Sequence, residues 1–382
     1  MKITDTKVYT VDAGDVGREP VTWTYLRVDT DAGITGWGQA GACHRDAALV
    51  CRTGLEEIRE LLVGEEAADI ERIWHKIYRR FTYFASRGFA TAIAAAVDLA
   101  LWDIKGKETG KPVYDLLGGR FRDRILLYNN TWFTGAQTPD EFADCAQKSV
   151  IDVGYTASKL DPFLTMRPFH RMYQDGQITE EGEQLGYDIV DAVRSVVGPE
   201  HEILIDAHGH YNVPTAIRLS NTLFELFGIH WFEEPVPPES TDALQTVREN
   251  TSAPICVGER LHTRWDFLPI LQNRLADYIM PDTLWTGGIT EVRKIANLAE
   301  IYGVPLSPHC VPMGPHEIIS AAHVCSTIPN FYRLESGFHA IPTYEEMLDT
   351  PILFEDGHLV LNGKPGLGYD PLEDWLEAHN LD

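Results

Sequence analysis

The segment EILID, residues 202–206, is the first of six short apolar runs in this chain that each end in an acidic residue or a histidine. The runs end at nearly equal intervals along the second half of the chain, at Asp206, Glu233, Glu259, Asp282, His309 and Glu335. Each interval matches the length of one strand–helix unit. Residues at the C-terminal ends of successive strands in a (β/α) barrel point into one mouth, so the spacing predicts such a barrel with a site at its mouth. Chance spacing is the alternative, but it does not explain why all six residues directly follow apolar runs.

Strand–helix alternation continues from residue 123 to residue 345, which is enough chain to close a barrel. Eight strand candidates lie in this region, at residues 125–129, 156–160, 203–206, 230–233, 254–258, 277–280, 305–307 and 332–334. Helical patterns separate several of them, at residues 179–197, 213–227 and 290–302. We therefore expect an α/β fold in which residues 123–345 form a (β/α) TIM-type barrel.

The first 122 residues have a different pattern, which predicts an α+β capping domain. Three strands with alternating polar and apolar residues, at 2–11, 21–30 and 34–39, predict an antiparallel meander, and helical patterns follow at 45–62, 70–78 and 90–104. The tail, residues 346–382, has a sequence pattern typical of a β-hairpin, and we expect it to pack back on the cap. Loops at 13–23 and 81–87 are expected to help select the substrate.

Composition excludes several classes of partner. The net charge of −25 over 382 residues argues against binding to nucleic acid or to anionic membranes. It would also repel a small anionic substrate unless a bound cation reversed the field locally. The chain has 22 arginines but only 10 lysines, which favours adaptation to high salt, with an ordinary acidic protein as the alternative.

The sequence also suggests where the protein resides. Neither an apolar leader after Met1 nor an uncharged apolar run of membrane-spanning length is present. The six cysteines are scattered and form no CxxC pair, as is typical of thiols in a reducing compartment. We therefore expect a cytoplasmic protein.

Three of the strand-end residues, Asp206, Glu233 and Glu259, are candidate metal ligands. Carboxylate oxygens are the ligands that Mg²⁺ prefers, so we expect Mg²⁺ as the cofactor. Any one of these acids could instead be a solvated helix cap, but the regular spacing of all three disfavours that interpretation. Glu234 follows Glu233 and should point to the other side of its strand.

His309 and Asp282 are predicted to lie on neighbouring strand ends. A carboxylate that binds one imidazole nitrogen orients the ring and leaves the other nitrogen as a base. A single histidine after a strand is more often structural, and the acidic partner favours a catalytic role.

A second proton-transfer candidate is His208, two residues after Asp206. Residues i and i+2 of an extended chain share a face, so His208 should point into the same mouth, as should Lys159 and Asp161 on the second strand. Four further histidines have no such geometric support, and we expect them on the surface or in loops: His210, His262, His316 and His339. The sequence contains no nucleophile elbow and no nucleotide-binding glycine motif.

At these residues the chain resembles the mandelate racemase branch of the enolase superfamily. The similar motifs include Glu233-Glu234-Pro235, Gly258-Glu259-Arg260, Pro281-Asp282 and Pro308-His309. Within the branch, the sequence is most similar to acid-sugar dehydratases of the galactonate or gluconate type. The resemblance implies a capped, modified enolase-like barrel, Mg²⁺ on the three carboxylates and a small sugar acid as substrate. We also expect a homo-oligomer.

The resemblance also implies residue roles. His309 is the base backed by Asp282, His208 is the acid, and Glu335 binds the substrate carboxylate. Lys159, Asp161 and Arg260 are the candidate substrate-binding residues. Racemases of this branch carry Lys-x-Lys on the second strand, whereas here the second lysine is replaced by Asp161, which argues against racemisation by two opposed bases.

These roles predict a dehydration. His309 would take the C2 proton of a 2,3-dihydroxy acid and His208 would protonate the departing C3 hydroxyl, giving a 2-keto-3-deoxy acid. An epimerase, racemase or cycloisomerase of a sugar acid on the same scaffold is the first alternative, and a non-catalytic binding protein is the second.

Overall fold

A computed structural model describes residues 1–16, 20–83, 86–163, 176–310 and 313–381 of the chain. Its strands are β1 Ile3–Asp15, β2 Pro20–Thr30, β3 Thr35–Ala40, β4 Ile125–Asn130, β5 Ala157–Leu160, β6 Glu202–Asp206, β7 Trp231–Glu233, β8 Ile255–Val257, β9 Tyr278–Ile279, β10 Leu334–Gly337, β11 Leu353–Glu355 and β12 His358–Val360. Its α-helices are α1 Arg45–Glu57, α2 Arg59–Leu62, α3 Ile70–Arg80, α4 Phe89–Thr109, α5 Val113–Leu116, α6 Pro139–Ala146, α7 Glu180–Val197, α8 Val213–Phe227, α9 Thr241–Asn250, α10 Thr263–Gln272, α11 Thr283–Thr286, α12 Ile289–Tyr302, α13 Pro315–Cys325, α14 Ile341–Met347 and α15 Glu373–His379. No helix among the described residues is long and apolar enough to cross a bilayer.

The predicted barrel is confirmed. Strands β4 to β9 pair in parallel and in chain order, and β10 pairs in parallel with β4 to close the ring. The seventh predicted strand is reduced to single bridges from Leu306 to Ile279 and to Phe331. Pro305 and Pro308 flank this position and lack the N–H groups that a longer ladder would need. The closed ring brings the six strand-end residues to one mouth.

The barrel helices form for local reasons that the sequence displays, and α8 shows them clearly. The Asn212 side chain accepts a hydrogen bond from the Thr215 N–H and caps the helix. Gly228, with a φ of 59°, ends it in the left-handed region. Leu219 and Leu223, one turn apart, are both fully buried against the barrel. Burying each leucine contributes about 1.5–3 kcal/mol, so packing rather than propensity fixes the helix.

The cap is an antiparallel meander of β1, β2 and β3 packed on α4. A Cβ at Gly38 would lie 1.8 Å from the Ala96 carbonyl oxygen, so glycine is required where the sheet meets the alanine-rich helix. Strand β1 runs to Asp15, four residues beyond its predicted end, because Asp12, Gly14 and Asp15 still pair with β2. The loop between the two strands is therefore shorter than the gap at residues 12–20 that the predicted strands leave. Its tip at 17–19 lies outside the described residues, as do residues 84–85 of the other predicted loop.

The tail contacts both the barrel and the cap, so the expectation that it packs on the cap was incomplete. The hairpin of β11 and β12 turns at Asp356-Gly357 and pairs with β4 of the barrel. Its turn residues have φ values of 48° and 66°, as a two-residue hairpin requires. Beyond it, α15 packs on β1, and Glu373 forms an ion pair with Arg27 of the cap.

A buried histidine on α13 connects the tail to the cap. Nδ1 of His323 accepts a hydrogen bond from the Tyr114 N–H over 3.2 Å, and Nε2 donates to the Leu367 carbonyl over 3.0 Å. The ring can make both bonds only in its neutral form, because Nδ1 must carry a lone pair. Burial lowers the pKa of His323 to about 4, which agrees with that requirement.

Candidate active site

Three carboxylates meet at the mouth where β6, β7 and the loop after β8 end. One oxygen each from Asp206, Glu233 and Glu259 lies within 4.8 Å of the others. Asp206 is 2% exposed and Glu233 is fully buried. The structure therefore brings together all three predicted metal ligands.

Lys159 on β5 supplies positive charge to this cluster. Its buried Nζ lies 2.5 Å from Glu233 Oε1, 3.3 Å from Asp206 Oδ2 and 3.0 Å from Glu335 Oε1. Burial alone would disfavour the ammonium, but the charges of Glu233 and Glu335 outweigh burial and raise the pKa of Lys159 well above its usual value. Lys159 therefore remains charged and is poorly suited to be a base.

Neighbouring groups hold the cluster in place. The indole N–H of Trp231 donates to Glu233 Oε2 over 3.0 Å. Glu234 turns away, as strand alternation predicted, and its Oε1 accepts from the Gly258 N–H over 2.7 Å. Burial, which exceeds the opposing effect of Arg260, raises the pKa of Glu234 to about 7. Glu234 thus ties β7 to the next strand end instead of serving as a ligand.

His309 and Asp282 form the predicted pair. His309 Nδ1 lies 2.8 Å from Asp282 Oδ2, which leaves Nε2 directed at the carboxylates, 3.7 Å from Glu259 Oε2 and 3.9 Å from Glu335 Oε2. Burial opposes a charged ring, but the charge of Glu335 and the hydrogen bond to Asp282 outweigh it and raise the pKa of His309 to about 9. The ring is oriented so that one nitrogen is held and the other faces the site.

His208 also reaches the mouth, but not for the predicted reason. The chain leaves the strand after Asp206, and His208 has a φ of 49°, so residues 206–208 are not extended. The turn is held by the bond from the His208 N–H to Asp206 Oδ1 over 2.9 Å. His208 Nδ1 lies 3.1 Å from Asp161 Oδ2. Burial disfavours its charge, yet Asp206 and Asp161 together raise the pKa of His208 above its usual value.

Two of the residues predicted to bind substrate contact His208. Asp161 binds its ring, and Arg260 donates a hydrogen bond to its backbone carbonyl. Arg260 also lies 3.4 Å from Glu259 Oε1. A Cβ at position 209 would lie 2.5 Å from the Arg260 guanidinium, so Gly209 is needed for this approach. Both side chains therefore position the candidate acid.

Glu335, at β10, is fully buried between the base and the lysine. Its Oε1 accepts from Asn130 over 2.8 Å and its Oε2 accepts from the Cys310 N–H over 3.0 Å. Burial opposes its ionisation, but the charges of Lys159 and His309 outweigh burial and lower the pKa of Glu335. Its neighbours therefore favour the ionised form of Glu335.

Two histidines that the sequence placed on the surface or in loops are buried. The His316 ring is fully buried and meets the Tyr25 ring edge-on with centroids 5.4 Å apart, and burial lowers its pKa to about 3. His210 is only 7% exposed. The assignment of His316 was wrong because the cap sheet covers the start of α13, a long-range contact that local sequence does not reveal.

One residue near the base was missed altogether. Glu317 on α13 is fully buried, and its Oε1 lies 3.8 Å from His309 Nδ1. Its position does not follow the strand-end spacing, because it enters from a helix eight residues after His309. The available signal was an acidic residue in the otherwise apolar helix PHEIISAAHVC.

The arrangement fits a divalent cation bound by oxygen. Buried carboxylates as close as Asp206, Glu233 and Glu259 repel one another, and burial together with the Asp206 charge raises the pKa of Glu233 well above its usual value. A cation among them would relieve that repulsion. The two candidate proton-transfer histidines lie after β6 and after Leu306, on different walls of the mouth.

Comparisons with known proteins agree with this architecture. The family model for the enolase C-terminal domain-like region matches residues 141–375. The model for the mandelate racemase / muconate lactonizing enzyme N-terminal domain matches residues 12–118. Together they cover the cap and most of the barrel.

Individual relatives are similar over nearly the whole chain. A D-xylonate dehydratase from Haloferax volcanii is 31% identical, covering 100% of this chain and 89% of the relative. A D-galactonate dehydratase from Pectobacterium atrosepticum is 34% identical, with 98% and 93% covered. The crystal structure of a mandelate racemase/muconate lactonizing enzyme-like protein from Rubrobacter xylanophilus superposes with a TM-score of 0.89 at 33% identity, covering 100% of this chain and 98% of that one.

Proposed function

This chain belongs to the mandelate racemase / muconate lactonizing enzyme family of enolase-like proteins, and on that basis we propose that it is a hydro-lyase that dehydrates a sugar acid. The observation that carries the proposal is the pair of separately held histidines on either side of three clustered carboxylates. The dehydratase names of the relatives support the same reaction class. The proposed substrate is an aldonic acid with hydroxyl groups at C2 and C3.

Proton abstraction is assigned to His309. Its Nδ1 is bound to Asp282, so Nε2 is the nitrogen that faces the C2 proton. A cation bound by Glu259 would offset part of the negative charge that raises the pKa of His309, and would so favour the neutral ring that a base needs. The C2–H bond breaks, its electrons remain on the substrate, and the imidazolium that forms is stabilised by the Asp282 carboxylate. Mg²⁺ held by Asp206, Glu233 and Glu259 would supply positive charge beside the substrate carboxylate as negative charge develops there.

Protonation of the leaving group is assigned to His208. Its Nδ1 contacts Asp161, which leaves Nε2 to donate a proton to the C3 hydroxyl. The C3–O bond then breaks, the oxygen leaves as water, and the enol product tautomerises to a 2-keto-3-deoxy acid. The charges of Asp206 and Asp161 raise the pKa of His208, which favours the protonated form that a general acid needs.

The same residues argue against the epimerase or racemase alternative. Racemisation needs a second base on the opposite face of C2, and Lys159 is engaged by three carboxylates in the described structure. Asp161, in place of the second lysine, is held by the His208 ring. A single base with a separate acid favours elimination over inversion.

The test is a screen of aldonic acids of different length and configuration in the presence of Mg²⁺. We expect accumulation of a 2-keto-3-deoxy acid from at least one substrate, detected as a 2-keto acid. The matched control is His309→Asn, which should give none. An epimerised or cyclised acid without any keto acid would instead assign the protein to an isomerase.

A further inference from the structure

The unexplained group near the base is the Glu317 carboxyl. It is fully buried, and among the described residues its Oε1 has no hydrogen-bond partner when it is counted as a carboxylate. Its other oxygen, Oε2, accepts from the Met313 N–H over 3.1 Å. A buried carboxylate with one oxygen that accepts no hydrogen bond is energetically costly, so the protonation state of Glu317 needs a physical explanation.

The surroundings of Glu317 disfavour a negative charge on its carboxyl group. Burial is the main reason that the pKa of Glu317 is raised well above its usual value, followed by the charge of Asp282. Groups from five parts of the fold face it: Tyr25 of β2, Asp282 at the start of α11, His309 and Cys310 after Leu306, Glu335 of β10 and Tyr344 of α14. Two of these are carboxylates, and a neutral Glu317 avoids placing a third negative charge among them.

The Asp282 carboxylate has room for one more donor. Its Oδ1 accepts from the backbone N–H groups of Leu284 and Trp285, over 2.7 and 3.0 Å, and its Oδ2 accepts from His309. An ionised carboxylate offers about four lone-pair sites, so one remains. Glu317 can fill it only if it carries a proton, because two bare carboxylates have no hydrogen to share.

We propose that Glu317 is a positioning residue, a neutral carboxylic acid that donates a hydrogen bond to Asp282 and thereby fixes the orientation of the Asp282–His309 pair. Each lone-pair site of Asp282 would then accept a hydrogen bond. Rotation of the His309 ring would break one of these bonds, so the ring would be held in place. The proposal rests on the proposed function only in that the pair is taken to be the base.

A bound cation is a poorer explanation of the same cluster. Asp282, His309 and Glu317 each direct an atom within 4.8 Å of the others, so a metal is geometrically conceivable. Two ligands at about 2.0–2.1 Å from a metal stand roughly 3.3 Å apart in a tetrahedral site and roughly 2.9 Å apart in an octahedral one. The 2.8 Å between His309 Nδ1 and Asp282 Oδ2 is shorter and is a hydrogen-bond distance. A proton fits this cluster better than an ion.

The kinetic test compares two substitutions of similar size. In Glu317→Gln, the amide oxygen can accept from Met313 while the amide N–H₂ donates to Asp282, as a neutral Glu317 would. In Glu317→Leu, the donor is lost. We expect Glu317→Leu to lower kcat by about 10–100-fold with little change in KM or metal affinity. The kcat of Glu317→Gln should be at least about tenfold higher than that of Glu317→Leu. Ile319→Val, a buried change two residues along α13, is the control for repacking.

The second measurement needs no activity and works even if Glu317→Leu does not fold. The infrared spectrum of wild type minus Glu317→Gln should contain the carbonyl stretch of a protonated carboxyl group at neutral pH. Absence of that band would overturn the proposal, as would wild-type kcat in Glu317→Leu or an equal loss in both variants. If the wild-type protein dehydrates no sugar acid, the proposed function is wrong. The infrared band would still show whether Glu317 is protonated.

Discussion

Asp282 holds His309 with one carboxylate oxygen and the first turn of α11 with the other. Oδ2 lies 2.8 Å from the His309 Nδ1, while Oδ1 accepts from the Leu284 and Trp285 N–H groups. Asp282 therefore connects the ring of the proposed base to the backbone of α11, and Asp282 itself cannot rotate freely. This connection makes the orientation of His309 as rigid as the start of the helix.

Replacing Asp282 with asparagine should separate orientation from folding. Asparagine can still accept from the two backbone N–H groups, so the helix cap is kept, but it lacks the charge that stabilises the imidazolium. We expect kcat to fall by about 10²–10⁴-fold with an unchanged circular dichroism spectrum. Wild-type kcat in Asp282→Asn would show that the pair is structural.

The two histidines should have separable effects on C2 exchange. His309→Asn should lose both dehydration and exchange of the C2 proton with solvent deuterium, because the base is gone. His208→Asn should lose dehydration by about 10²–10⁴-fold and retain exchange. Proton NMR of the substrate in D₂O measures both. Exchange at the wild-type rate in His309→Asn would place the base elsewhere.

Metal binding should distinguish two adjacent glutamates. Glu233→Gln removes a buried charge from the carboxylate cluster, and we expect it to abolish detectable Mg²⁺ binding by calorimetry while the protein stays folded. Glu234→Gln keeps an oxygen that can accept from Gly258, so it should bind Mg²⁺ nearly as wild type does. EDTA should abolish activity and added Mg²⁺ restore it. Equal Mg²⁺ affinity in both variants, or full activity without metal, would contradict the assignment of the site.

His323 should make the protein less stable in mild acid. Its pKa is lowered to about 4 by burial, whereas the unfolded chain has the ordinary value of 6.5. Between these values the unfolded state binds more protons, so the free energy of unfolding falls as pH drops from 6.5 to 4, by up to about 3 kcal/mol from this residue. Denaturant unfolding of wild type and His323→Gln across this range should give a shallower pH dependence in the variant. Parallel curves would exclude His323 as a source of the effect.

Much of the barrel could be predicted because its information is local and periodic. Each strand is a short apolar run, and the acidic residue or histidine that follows it marks the C-terminal end of the strand. The clustering of the three candidate metal ligands and the pairing of His309 with Asp282 follow from that pattern. The seventh strand was predicted at 305–307, yet its flanking prolines reduce it to single bridges.

The remaining features depend on contacts between distant segments. His208 reaches the mouth through a left-handed turn that the extended-chain argument did not anticipate. Glu317 comes from a helix face, so no strand-end spacing could reveal it. The β11–β12 hairpin pairs with the barrel strand β4, and its partner could not be identified from a hairpin sequence by itself.

The joining of the first and last segments of the chain has a consequence for synthesis. Asn380 accepts a hydrogen bond from the Thr10 N–H, and Leu376 is fully buried beside the cap strands. About 260 residues of chain lie between the end of the cap and Asn380, so a newly made cap must wait for them before this contact with its first strand can form. At roughly 5–20 residues per second, that wait lasts on the order of 10–50 s. The cap is thus made before the barrel, but its contacts with the tail form only after the barrel has been made.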